Sequence, residues 1–475
     1  MTRYLVGIDN GSQSSKVTVF DERGGVVAEG RVPLRPNHTS APGVVEHPDD
    51  DLWDSIAAAC RQAMDGFDGD PADIVGVGLC TIRFCRAVLR ADGSLAQPVM
   101  SWMDARVGAP FVAEHDDVAY VTTSSGYIGH RLTGAFRDTA ANYQGVWPID
   151  TDTWRWSAAE EPYAATGMRR DQLFELVDPG AVLGVVTAEA SAATGLPAGL
   201  PVVATANDKA VEALGCGLLD PTTLLVSLGT YIAGMSVGER NIASGTDFWT
   251  NFGSEPGRYL YESGGIRRGM WTVSWFRDLL GPEAAAAAEA AGERVEDRLN
   301  REAALVPAGC DGLLTVLDWL APADAGFRKG SILGFDGRQG RAHVYRSILE
   351  GIAMTMRERG DAMAAELGTP YERVVVSGGG SSSDLMMQIM ADVFQTPTIR
   401  IVGDSAAGRG AAICAAVATG VHPSFAEAAR VMVVERDRFA PDPATAAVHD
   451  ALRQVHADVT RHTDAVYRRT AAIVG

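Results

Sequence analysis

The chain has 475 residues, too many for one compact core and enough for two or three domains of ordinary size. Hydrophobic residues make up 46% and charged residues 21%, a globular composition that excludes a disordered or coiled-coil chain. With 60 acidic against 41 basic residues the formal charge is −19, a field that disfavours nucleic acid and anionic membrane surfaces as partners while leaving room for a local basic pocket.

Met1-Thr2-Arg3 runs straight into a strand-like pattern without a signal-peptide core, and no apolar stretch reaches membrane-spanning length, so a cytoplasmic location is expected. Residues 4–9, 16–21 and 26–32 read as three consecutive short strands. A helix is predicted from Pro48 to about Met64, with Asp49, Asp50 and Asp51 at its positive end, and then a strand over 74–79. Three strands followed by alternating helices and strands predict an α/β fold with a mixed sheet.

The middle of the chain starts again in the same way, with strands over 224–228 and 232–237 about a Gly-Thr turn and a third over 259–262, as duplicated domains would. An alanine-rich helical stretch follows over 283–305, then a helix over 341–367, a strand over 374–377, a helix after the glycines, a strand over 399–402 and a helix over 408–418. The boundary is placed at Asp220-Pro221, giving domains 1–220 and 221–475, with helices beyond about 440 expected to pack back on the first domain. Cysteines 60, 80, 85, 216, 310 and 414 form no CxxC pair and predict reduced, mostly buried thiols. His449, His456 and His462 lie in a helical stretch, where a solvated face is expected rather than a zinc site.

Three segments carry chemistry. Asp9-Asn10-Gly11-Ser12-Gln13-Ser14-Ser15-Lys16 lies between two strands; its small residues expose backbone N–H groups that can wrap a phosphate, and Asp9 at a strand end can hold Mg2+ through water. The same residues also suit an ordinary hairpin turn. Ser227-Leu228-Gly229-Thr230-Tyr231 offers a second such turn. Ser377-Gly378-Gly379-Gly380-Ser381-Ser382-Ser383-Asp384 follows a strand and precedes a helix, so its bare backbone can lie against a base or ribose. No Gly-Lys dipeptide makes it a Walker loop and no GxGxxG makes it a dinucleotide turn, which weakens a hydride-transfer reading.

In this order and spacing the segments resemble the FGGY carbohydrate kinases, a family within the actin, hexokinase and heat-shock ATPase superfamily, over nearly the whole chain. Pro201 to Asp208 with Ala213 to Gly217 looks like the family's catalytic-aspartate segment. Gly330 to Gly334 with His343, Ser347 and Glu350 resembles its second signature, with Phe335 where a smaller aliphatic residue is usual. Val45 to Pro48 with Trp53, Ser101 to Arg106, and Arg131 to Gly134 with Asp138 add weaker echoes. The chain departs from the family after Arg106, where only residues 107–129 stand in place of a longer helical segment that includes the first signature.

The resemblance implies two actin-like (ribonuclease H-like) domains with an active-site cleft between them. It also implies ATP and Mg2+ as cofactors, a small sugar or polyol as partner, and a homodimer as one assembly to expect. Gly11, Ser12, Gln13, Lys16, Gly229, Thr230, Gly378, Gly379, Gly380 and Asp384 would hold the nucleotide and its phosphates, Asp9 the metal, and Asp208 would act as general base. A helix N-cap is the alternative for Asp208, since it precedes a helical run. The only three lysines are Lys16, Lys209 and Lys329, and two of them flank the phosphate turn and the base.

Arg83, Phe84 and Asp104 are the candidates for the acceptor pocket. Glycerol kinases place an arginine-glutamate pair at the first point and xylulokinases a methionine-histidine pair; Arg83-Phe84 matches neither completely. Arg83 can donate to vicinal hydroxyls or form a surface salt bridge, Phe84 can wall the pocket, and Asp104 can accept from substrate or pair with Arg106. Two rival functions share the fold: a sugar-independent ATPase, and a sugar-sensing protein that has lost turnover.

Overall fold

The computed structural model describes residues 2–322, 325–403 and 405–474. The first sheet has six strands: β1 (Tyr4–Asn10), β2 (Ser14–Asp21), β3 (Val26–Pro33), β4 (Ile74–Thr81), β5 (Val182–Val185) and β6 (Pro201–Ala204), in the order β5-β6-β4-β1-β2-β3. β1, β2 and β3 form an antiparallel meander, while β4 and β6 join parallel to β1. Helices α1 (Asp51–Asp65) and α2 (Ser124–Thr133) cover one face, closing a core around Val6, Ile8, Leu52, Ile56 and Val77. Helix α3 (Asp208–Gly215) leaves the end of β6.

The second sheet repeats this plan. Its strands are β7 (Thr223–Leu228), β8 (Ile232–Gly238), β9 (Phe248–Phe252), β10 (Tyr259–Ser263), β11 (Arg373–Ser377), β12 (Thr398–Ile401) and β13 (Glu435–Phe439), in the order β9-β10-β8-β7-β11-β12-β13. β7, β8 and β10 form the meander, and β11 and β12 run parallel to β7. The edge strand β9 was not expected from the sequence; Phe-Trp-Thr-Asn-Phe pairs antiparallel to β10 and brings Trp249 and Asn251 to the cleft side of the sheet. Helices α4 (Gly269–Leu279), α5 (Gly281–Ala290), α6 (Val295–Ala303), α7 (Arg341–Leu367), α8 (Asp384–Phe394), α9 (Ala406–Ala418), α10 (Phe425–Met432) and α11 (Pro443–Val474) complete the chain. The alanine-rich helical stretch expected over 283–305 is two helices, because the chain turns at Gly292 with φ +67° and restarts on an extended Arg294.

A different segment returns to the first sheet than the one expected. Helix α9 lies on β1 and β4 and against α3, and α10 seats Phe425 beside Gly180. The approach is close enough to require glycine: a Cβ on Gly7 would stand 1.9 Å from the Gly408 carbonyl, and one on Gly78 1.9 Å from that of Ala411. The two equivalent helices, α3 and α9, cross at Gly215 and Gly410, where a Cβ would meet the carbonyls of Ala406 and Val211 at 1.8 and 1.9 Å.

The terminal helix α11 instead packs on α7, α8 and the second half. Thr445 bonds Asp392, Arg453 pairs with Asp361, and Asp464 pairs with Arg328. His449 and His456 are buried, His449 3.2 Å from Glu350 and His456 bonded to the Thr315 carbonyl, which corrects the expectation of a solvated face. All six cysteines are buried and unpaired. Among the described residues no helix is long and apolar enough to cross a membrane.

Candidate active site

The end of β1, the head of α3 and the turns β1–β2 and β7–β8 converge on one cleft. Asp9 stands in register with Lys16 across the first hairpin and with Cys80 on β4. Gly11 N–H closes the turn on the Ser14 carbonyl at 3.1 Å, and Ser12 and Gln13 are exposed at its tip. Lys16 pairs with Glu29 at 3.0 Å.

In the second hairpin the carbonyls of Gly229 and Thr230 accept from Met270 and Gly269 at the head of α4, at 3.2 and 2.8 Å. The glycine turn leans on this hairpin. Gly378 has φ +81°, and a Cβ there would lie 2.7 Å from the Leu228 carbonyl. Gly380 is backed by Leu228 and Met270, whereas Gly379 faces open space. Asp384 begins α8 after the Ser383 cap and is held at 2.8 Å by Arg400, which also pairs with Asp437. Beside it a groove of about 910 Å³ is lined by Asn300, Arg346, Ser382, Ser383 and Asp384.

Asp208 is the first residue of α3, and the capping is done by Asn207, whose side chain accepts from Ala210 N–H at 3.1 Å. The Asp208 carboxylate is therefore not consumed as a cap. Its Oδ1 accepts from Lys209 N–H at 3.0 Å and lies 3.6 Å from Arg83 Nε. One turn on, Glu212 gathers Lys209 Nζ (2.8 Å), Ser227 (2.7 Å) and Ser377 (2.6 Å), tying α3 to β7 and β11.

These charges set one another. Burial, then the carboxylates of Asp208 and Glu212, push Asp9 up to about 7 against Lys16 and Lys209. Burial raises Asp208 above its ordinary value, though Arg83 and Lys209 pull the other way. Glu212 would also be raised by burial, but Lys209 and the two serine hydroxyls hold it below the ordinary value.

In the acceptor region Arg83 is neither free for substrate nor at the surface. Its two terminal nitrogens donate to Glu262 at 2.7 and 2.9 Å, a buried pair across the cleft, and its guanidinium stacks 5.3 Å from Phe84 and 5.0 Å from Trp249. Phe84 adopts φ +67° and stacks on Trp249 at 6.1 Å, walling the cleft.

Asp104 is fully buried away from this point. It accepts from Val45 N–H, Arg106 N–H and the Arg106 guanidinium at 2.8 to 3.0 Å, so the pairing alternative holds and both its oxygens are occupied. Sequence reasoning missed Glu212, Glu262, Trp249 and Asn251. Only Glu212 carried a signal, four residues after Asp208 on the same helix face.

Two duplicated sheets flanking a cleft, with paired hairpins and a carboxylate at a helix head, define an actin-like two-domain phosphotransferase. The sequence model for the N-terminal domain of the FGGY family of carbohydrate kinases matches residues 4–114 and 110–215, and that for the C-terminal domain matches residues 224–419. The chain belongs to the FGGY family of carbohydrate kinases. The two N-terminal matches meet at residues 110–114, within the stretch 107–129 where the sequence departs from the family pattern.

The chain is 46% identical over 473 residues to the uncharacterized sugar kinase YgcE of Escherichia coli (strain K12), covering 99% of this chain and 96% of that one. Its fold is similar to the xylulose kinase of Rhodospirillum rubrum, with TM-score 0.83 and 25% identity over 98% of this chain and all of the other. It is also similar to the gluconate kinase of Lactobacillus acidophilus, with TM-score 0.84 and 18% identity over 99% and 100%. The family phosphorylates carbohydrates and implies ATP as the donor.

Proposed function

We propose that this kinase transfers the γ-phosphoryl group of MgATP to a hydroxyl of a small sugar or polyol, a ketose or short polyol, with Asp208 as general base. The observation that carries the reading is the Asp208 carboxylate at the head of α3, relieved of capping by Asn207 and placed beside Arg83 and Lys209. Phosphoryl transfer asks the protein mainly to align the acceptor, hold the phosphates and neutralise charge. Oδ1 of Asp208 is fixed by Lys209 N–H and Arg83, so Oδ2 is the oxygen offered to the acceptor hydroxyl, whose proton it takes as the oxygen attacks phosphorus. Arg83 is a positioning residue in this reading: Glu262 anchors it, and its Nε orients the base.

Residues 1–220 form the acceptor lobe and 221–475 the nucleotide lobe. The first hairpin, with Gly11, Ser12, Gln13 and Lys16, and the second, with Gly229 and Thr230, face the phosphates. The turn of Gly378, Gly379 and Gly380 faces the base and ribose, and Asp384 shapes that turn through Arg400.

The residues fit Mg2+. Asp9 is a carboxylate crowded by Asp208 and Glu212 and raised to about 7, a position that a divalent cation would relieve. Mg2+ prefers oxygen ligands and keeps part of its water shell, so one carboxylate beside phosphate oxygens can hold it. The ion would neutralise charge on the transferring phosphates.

The test is ADP release with three- to seven-carbon polyols and ketoses, for the parent and Asp208→Asn. An active acceptor is expected, with kcat lowered about 10²- to 10⁴-fold in the variant. Sugar-independent ADP release would favour the ATPase, binding without ADP release the sensor, and equal turnover by the variant would remove Asp208 as base.

A further inference from the structure

Helix α11 carries an apolar seam that its own subunit leaves open. Counted from Val448 in alternating steps of four and three, the helix presents Val, Leu, Val, Val, His, Val, Arg and Ile, ending at Ile473. That is the heptad spacing of a helix that lies along another helix. The buried face of α11, marked by His449 and His456, lies about 100° round the helix from Val448 and Val455. Leu452 and Val459 lean partly on the core of the second half, but Val448 is 39% exposed, Val455 46%, Val466 57% and Ile473 83%.

The loop beside the head of the helix extends this surface. A Cβ on Gly309 would stand 3.3 Å from Val448 and 2.9 Å from Leu452, and Ala304 lines the same groove as Thr445. Between Ala304 and Gly309, Leu305 is 86% exposed. Leu305 and Ile473 are the two most exposed large hydrophobic side chains among the described residues, and they stand at opposite ends of one seam. Single apolar side chains are ordinary on a surface, whereas a row of them at heptad spacing over about 38 Å of helix has the form of a contact.

We propose that this seam is the contact between two copies of the chain, packed with their α11 helices antiparallel about a two-fold axis. The inference goes beyond the kinase reading and does not rest on it. Steps of four and three that begin and end on four read the same from either end, so a reversed copy matches every position. Val448 then meets Ile473 of the partner subunit, Val455 meets Val466 of the partner subunit, and Leu305 at the head of one helix comes to the tail of the other. Charge gives the direction. Arg453 and Asp464 are spent on Asp361 and Arg328, which leaves Asp442, Asp450 and Asp458 in the first half and Arg461, Arg468 and Arg469 in the second, with the Asp458–Arg461 pair where the halves join. Antiparallel copies set the acidic half beside the basic one and oppose their helix dipoles, whereas parallel copies would put Arg469 against itself in the seam. A seam about 38 Å long and about 10 Å wide buries roughly 400 Å² per subunit before the Leu305 loop adds to it, so the dimer is expected to be reversible at micromolar concentration.

Sedimentation of the full chain between about 1 and about 100 µM tests the assembly, with a reversible monomer–dimer equilibrium expected. Val466→Arg and Ile473→Arg should each raise the dissociation constant at least about tenfold. Both side chains are more than half exposed in the subunit, so the dilute variants should unfold at the parent's Tm. Oxidative cross-linking reads the direction. Leu305→Cys combined with Ile473→Cys should link two subunits, and Ile473→Cys alone should not, because antiparallel packing holds the two tails about 38 Å apart. Equally efficient linking by Ile473→Cys alone would overturn the antiparallel arrangement. A monomer throughout the range, including one that instead sediments with phosphatidylserine vesicles, or a dimer that neither arginine weakens, would overturn the contact itself.

Discussion

The two hairpins at the cleft have equivalent positions in the duplicated sheets and opposite chemistry. Asn10 closes the first ladder against Ser15, and Leu228 closes the second against Ile232, so Asp9 and Ser227 occupy corresponding places, as do Lys16 and Ala233. The first position is a carboxylate raised to about 7, facing a lysine across its strand pair. The second is a neutral hydroxyl that donates to Glu212. Duplication supplied the backbone turn twice, and side-chain divergence separated a crowded carboxylate pole from a neutral hydroxyl one. Glu212 reaches from the first half to Ser227 and Ser377 in the second, so the two poles are wired to each other.

The largest test of this contrast after Asp208 itself is Asp9→Asn. Activity should fall about 10²-fold or more, because charge near the transferring phosphates goes uncompensated, while stability should move the other way. A carboxyl with a raised folded pKa contributes stability that is complete below its unfolded value of 3.8 and is lost as pH rises through about 7. The variant should therefore be more stable than the parent above pH 7, by on the order of a few kcal/mol, and the advantage should vanish near pH 4. Thermal unfolding at both pH values without nucleotide reads this directly. If the parent is the more stable at high pH, the two poles do not differ as described.

Glu212→Gln probes the connection with the opposite sign. Its folded pKa lies below the ordinary 4.5, so its stabilisation is present above that value and fades as pH falls through the folded one. The variant should lose about 3 kcal/mol at neutral pH, because Lys209 is left with a broken buried pair, and should approach the parent in acid. Denaturant unfolding at pH 7 and at a series of pH values descending from 4.5 checks it, the gap closing only as Glu212 itself takes a proton. The smallest effect belongs to Ser227→Ala, which removes one hydrogen bond to Glu212 and should cost about 1 kcal/mol. A loss of activity in Ser227→Ala as large as that in Asp9→Asn would mean that the hairpins are chemically alike.

The glycine turns were legible in the sequence because they are features of the backbone. Turns such as Gly11-Ser12-Gln13 and Gly378-Gly379-Gly380 announce themselves through residue types that only tight geometry needs, and the strands around them follow from short, nearly continuous apolar runs. The acceptor side was not legible in the same way. Arg83 and Phe84 were singled out, but the partner that takes Arg83 lies 179 residues away on a strand that is buried throughout and whose local pattern does not point to Arg83. For Asp104 the sequence left a substrate role and pairing with Arg106 both open, and the pairing was decided by Val45 and Arg106 folding over it.

The sequence by itself determined the duplicated α/β plan, the order of the glycine turns and the position of Asp208 at a helix start, since strand period, turn residues and helix starts are local properties of the chain. Only the tertiary structure decided that α9 rather than α11 returns to the first sheet, that Arg83 is spent on Glu262, and that Gln144 and Asn251 bury amide atoms without partners among the described residues. Those outcomes depend on which distant groups pack together, where close glycine contacts, buried charge pairing and unsatisfied amides set the energy and no short stretch of sequence contains both partners.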